Sequence, residues 1–161
     1  MMKTMFDPMG RIGPVAFRDA AITLILIGAV ISLLPWINSS LMPVTYVSLL
    51  LIYPWIVIWV KRFHDAGKSG WMFLAVLVPW VIVGGAVSRF LIIPYFAPEF
   101  AAARPTDIAS AMANARALQG AVALPSTVFS TLLSLIIVFA VNAWLKSDPE
   151  PNKYDPPPHM R

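Results

Sequence analysis

Four stretches of this chain, at about residues 20–37, 42–60, 71–96 and 121–145, hold a single charged side chain between them, Arg89. A helix rises 1.5 Å per residue, so about 20 apolar residues cross the ~30 Å hydrocarbon layer of a bilayer. Each stretch has that length or close to it. In lipid the backbone must satisfy its own polar groups, which a helix does within each run. With 58% hydrophobic and 12% charged residues over 161 positions and a mean hydropathy of +0.73, the chain lies far from the ~25% charge of soluble domains. The fold class expected is an all-α integral membrane protein with four transmembrane helices.

Residues 1–19 mix Lys3, Arg11 and Arg18 with Phe6, Met9, Ile12 and Phe17, a pattern suited to the headgroup level. Gly10-Arg11-Ile12-Gly13 reads as a turn, with Pro14 placed to be a first helical residue. The first apolar run ends in Leu34-Pro35-Trp36-Ile37 without a convincing cleavage site, so it reads as a retained helix rather than a signal peptide. Asn38-Ser39-Ser40 then joins it tightly to the second. Between the third and fourth runs lies an Ala-rich segment in which Thr106 or Asp107 caps a short extramembrane helix ending at Gly120. Residues 146–161 contain five prolines and no apolar periodicity, which predicts a disordered cytoplasmic tail.

Basic residues set the orientation. With the N-terminus inside, nine Lys and Arg (Lys3, Arg11, Arg18, Lys61, Arg62, Lys68, Lys146, Lys153, Arg161) face the cytoplasm and three (Arg89, Arg104, Arg116) face out. That asymmetry puts both termini in the cytoplasm. Trp59, Trp71 and Trp144 fall at the inner boundary and Trp36 and Tyr95 at the outer one, where amphipathic rings settle. The same rule accounts for the net charge of +4 without nucleic acid as a partner.

The loop Lys61 to Trp71, KRFHDAGKSGW, concentrates the chain's chemistry. His64-Asp65 invites an acid/base reading, yet adjacent side chains diverge and no carboxylate cluster surrounds them. With no cysteine and two histidines, one of them in the tail, no metal-ligand set is visible, and no cofactor is expected. Gly67-Lys68-Ser69 resembles the end of a phosphate-binding loop, but the leading glycine would fall on Arg62 and a helix precedes it instead of a strand. A milder use survives: Arg11, Lys61, Arg62, His64, Asp65, Lys68, Ser69 and Trp71 are candidates for contact with an anionic lipid headgroup or a partner. The alternative is that the basic residues serve as topology signals alone. Within the spans, Pro54 and Pro79 each precede Trp and each removes a backbone bond. Asn142 is expected to make an interhelical hydrogen bond.

These residues resemble a bacterial inner-membrane family called domain of unknown function 805. Its pattern is an N-terminal F-x-G-R-x-[SG]-x-x-x-F/W stretch, a central R-x-H-D-x-G-[KR]-S-G-W-x-x-L loop and an I/V-P-x-x-G-like helix. Here the matches are Gly10-Arg11-Ile12-Gly13 with Phe17, then Arg62 through Trp71, then Val78-Pro79 with Gly84. Pro14 and Val15 depart from the basic or acidic pair usual in the family. The resemblance covers about residues 6–95 and implies a multi-pass protein of the bacterial inner membrane with no established activity.

The reading that follows is a non-enzymatic helical bundle that organises membrane lipid or a protein partner through its basic cytoplasmic loop. Two alternatives stay open: a subunit of an oligomeric transporter or channel, and an interfacial enzyme on lipid headgroups that uses His64 and Asp65. A homo-oligomer is compatible with the first two.

Overall fold

The computed structural model describes residues 5–7, 9–101 and 104–154. Among these there are four helices long and apolar enough to cross a membrane, Pro14–Ile37, Ser40–Asp65, Gly70–Phe96 and Ile108–Trp144. We call them the first to fourth spans.

The first span starts at Pro14 rather than at Ala20, because the ring occupies the first helical position, where no N–H is needed, and Phe17 N already donates to Gly13 O at 2.9 Å. It ends where Asn38 turns extended and its side-chain oxygen accepts from Ser40 N. The second span begins as a 3₁₀ helix, Ser39–Leu51, in which the Thr45 and Ser48 hydroxyls donate to the carbonyls three residues earlier. It becomes α-helical over Ile52–Asp65. Pro54 therefore lies in the first turn of the α-helical part, where its missing N–H costs little, and breaks no helix interior.

Phe17, Ala20, Ala21, Leu24 and Ile25 are the buried residues of the first span's N-terminal half, a stripe with helical spacing. They pack on Ile58, Trp59 and Phe63 of the second span and on Val138 and Leu145 at the end of the fourth. Phe17 meets Trp59 edge to face, with centroids 4.8 Å apart. The tight core is thus gathered at the end of the bundle that carries the loop.

The third span is attached differently. Its α-helical part Leu74–Val87 has no buried residue, and a five-residue π-turn, Ser88–Ile92, follows it. A hydrogen bond from Trp80 Nε1 to Ser134 Oγ, 3.1 Å, ties it to the fourth span.

The fourth span corrects one expectation. Asp107 does cap a helix: its Oδ1 accepts from Ser110 N at 2.7 Å while Ser110 Oγ accepts from Asp107 N. That helix does not end at Gly120 but runs unbroken for 37 residues to Trp144. The short helix expected over this stretch is its first third, since a glycine with helical residues on both sides weakens a helix without ending it. A four-residue turn of helix, Pro98–Ala101, precedes it.

Candidate functional site

The loop is built around the end of the second span. Lys68 N donates to Phe63 O at 2.9 Å and Gly67 N to His64 O at 3.0 Å, the paired bonds of a Schellman cap, with Gly67 at φ +69° as that cap requires. The turn brings Gly70 against the helix it has just left, and a Cβ there would lie 2.7 Å from a Val60 methyl carbon and 3.0 Å from His64 Nε2. Both glycines of the motif are explained by this reversal.

Arg62 and Asp65, one turn apart, have lost all solvent exposure, and Arg11 keeps 5%. Arg62 Nη1 donates to Asp65 Oδ2 at 2.7 Å, and Arg11 Nη2 lies 3.3 Å from Asp65 Oδ1. Desolvating such charges is costly unless geometry and further hydrogen bonds compensate. Here they do. Arg62 Nε donates to Asn142 Oδ1 at 2.7 Å, and its Nη2 reaches the carbonyls of Asn142, at 3.2 Å, and Leu145. Arg11 donates to Asp65 O at 3.0 Å, to Glu150 O at 2.9 Å and to Asp148 O. Asn142 makes the expected interhelical bond, from Nδ2 to Pro14 O at 3.1 Å, and in addition accepts from Arg62.

The chain after Lys146 is also part of this cluster, so the described portion of the tail corrects the expectation of disorder. Ser147 Oγ donates to Asp65 Oδ2, and Asp148 N donates to Asp65 O at 2.7 Å. Two Asx turns, Glu150 N to Asp148 Oδ1 and Tyr154 N to Asn152 Oδ1, fold the segment back over the loop. Asn152 Nδ2 then donates to His64 O at 3.2 Å, and the Tyr154 ring stacks on His64 with centroids 3.7 Å apart and planes 6° from parallel. Asp148's carboxylate is held below the ordinary carboxylate range, first by the Asn152 amide and then by the Glu150 N–H. The Pro156-Pro157-Pro158 run lies outside the described residues.

The eight candidate residues therefore separate. Arg11, Arg62 and Asp65 converge on one buried cluster. Lys61 is buried too, its Nζ donating to Asp7 O at 3.1 Å. Burial removes these four from direct contact with a headgroup. His64 and Asp65 do not pair, the one stacking on Tyr154 and the other facing arginines. Lys68, Ser69 and Trp71 are exposed, and Lys68 Nζ sits 5.7 Å from the centre of the Trp144 ring. Ser147, Asp148, Glu150, Asn152 and Tyr154 escaped the sequence reading. Their signal was the alternation of Asp and Asn with proline, the composition of Asx turns. Among the described residues no group of three His, Cys, Asp or Glu can hold a metal ion.

The family described as Protein of unknown function (DUF805) matches residues 5–156. The chain belongs to this family. No curated protein and no solved structure matches it. The DUF805 match extends past residues 6–95 to the fourth span and the tail, where the acceptors for Arg62 and Arg11 are found.

A second feature of this DUF805 chain lies between the spans. A chamber of about 370 Å³ separates the four spans, walled chiefly by apolar side chains with Ser32, Ser48, Ser130 and Ser134 among them. It adjoins a second space of about 610 Å³ that continues along the third and fourth spans to Ile92 and Gln119. Trp80 borders both.

Proposed function

We propose that the protein is a non-enzymatic, multi-pass protein of the bacterial inner membrane, with both termini in the cytoplasm, that binds anionic lipid through the exposed half of its loop. The division of the loop carries this reading. Arg62 and Asp65 are fully buried and serve the fold, whereas Lys68, Ser69 and Trp71, 76% exposed, form the outward surface. Lys68 supplies the charge, the start of the third span supplies N–H groups, and Trp71 and Trp144 are rings suited to the interface. Nine of twelve basic residues on one side support the orientation.

The enzyme alternative loses its support because His64 and Asp65 are engaged with different partners. A transporter or channel subunit would need a polar path, and the residues lining the chamber include no charged side chain. The test is binding of phosphatidylglycerol against phosphatidylethanolamine to the purified chain. Lys68→Gln should reduce the preference for phosphatidylglycerol while leaving the fold intact, and an unchanged preference refutes the reading. A reporter active only after export, fused at residue 66, should stay silent.

A further inference from the structure

We infer that the chamber between the four spans holds one acyl chain of a membrane phospholipid, so that the protein carries a lipid site within the bilayer as well as at its surface. The inference deepens the proposed lipid binding and rests on the membrane reading, but not on Lys68.

The wall of the chamber is chiefly apolar. Three of its polar hydrogens are already used: Ser48 Oγ donates to Thr45 O at 2.6 Å, Ser130 Oγ to Thr127 O at 3.2 Å, and Trp80 Nε1 to Ser134 Oγ at 3.1 Å. A buried water needs two to four polar partners, and apolar cavities that lack them stay dry and take apolar guests. At membrane depth the guest present in excess is a lipid chain.

The walls also leave real room. A Cβ added at Gly28, which lines the chamber, or at Gly84 and Gly85, which line its continuation, would meet nothing within 4 Å. Leu77 and Trp80 of the third span border the space from a helix with no buried residue. Along the fourth span the two spaces extend from Val138 to Gln119, about 28 Å at 1.5 Å per residue. That suits an extended chain, whereas 370 Å³ is too little for a helix about 10 Å wide from a second copy.

Charge complements the cytoplasmic end. The chamber begins at Phe73 and Trp59, and Lys68 with the free start of the third span lies five residues before Phe73. A phosphate there and an acyl chain in the chamber are compatible positions for one lipid.

The experiment uses the full chain in nanodiscs of phosphatidylethanolamine and phosphatidylglycerol, with a photoreactive diazirine on the acyl chain of one or the other. Crosslinks are expected at Gly28 to Ser32 and around Trp80, and they should disappear in Gly28→Phe, which fills the space. Crosslinks confined to outward positions such as Ile82 and Phe90 overturn the inference. So does rapid disulfide formation between Gly28→Cys and Leu77→Cys in a chain with no other cysteine, because it would mean that the chamber closes. Crosslinks between two copies through the chamber also overturn it. Should Gly28→Phe fail to fold, the crosslink map of the unaltered chain still decides. Lys68→Gln separates the two readings: it should reduce the phosphatidylglycerol preference and leave the chamber crosslinks in place. Chamber crosslinks with no headgroup preference in the unaltered chain would refute the surface reading and support this one.

Discussion

Arg62 and Asp65 form an ion pair of 2.7 Å with side chains 1% and 0% exposed, on the last turn of the second span. The pair is a junction of the fold: Asn142 and Leu145 of the fourth span and its end bind the arginine, while Ser147 and Arg11 reach the aspartate. Asp65→Asn should therefore destabilise the protein by about 3–5 kcal/mol, because it leaves two guanidinium groups buried without their carboxylate. Thermal or denaturant unfolding in detergent measures this. A midpoint like that of the unaltered chain would show that the cluster is not a stability determinant.

Removing residues 148–161 takes the Asp148 and Glu150 carbonyls from Arg11 and the Tyr154 ring from His64. Stability should fall by roughly 1–3 kcal/mol, the range for uncovering buried hydrogen-bonding groups. Hydrogen exchange at Ile12, whose N–H donates to Lys61 O at 3.3 Å, should accelerate. Full protection at Ile12 in the truncated chain would show that the tail rests on the loop without holding it.

Acid should release the tail. Asp148 has a folded pKa below its unfolded value, so its contribution is fully present above the ordinary carboxylate pKa of about 3.9 and is lost as pH falls through the lowered one. The Glu150 amide, which donates to Asp148 Oδ1, should keep a constant chemical shift down to about pH 4 and move below it. Asp148→Asn should flatten that transition, and persistence of the full transition assigns it to another group.

Gly70→Ala should destabilise by about 1–3 kcal/mol through the clash of its methyl with Val60 and His64. Wild-type stability would mean that the loop stands off the second span.

Gly120→Ala discriminates between two descriptions of one segment. Within a continuous helix, with open space around it, the change should raise stability by up to about 1 kcal/mol. In a helix that ended at Gly120 the same change would lower it, since a left-handed terminal residue tolerates no Cβ.

Four helices were legible from sequence because their apolar runs match the thickness of a bilayer, a signal that depends on composition alone. The Asp107 cap was legible for a local reason, a side chain reaching the backbone three residues on. The extent of the fourth helix was not, because Gly120 can end a helix or ride inside one, and tertiary context decides between them. In the loop, the sequence identified Arg62, His64 and Asp65 but not their division into buried and exposed. Burial depends on Asn142, Leu145 and Ser147, more than 75 residues away, so no local pattern could reveal it. The tail misled for a related reason: its prolines suggest an unstructured end, while Asp148 and Asn152 between them build turns.

Arg62 is synthesised about 80 residues before the groups that satisfy it, Asn142 and Leu145. While the ribosome is still making the fourth span, the nascent protein carries a guanidinium that has Asp65 as its partner but lacks its other acceptors. Assembly of the bundle can therefore finish only after residues 142–148 have been made, and a product cut short before residue 142 leaves Arg62 and Asp65 without the groups that bury them.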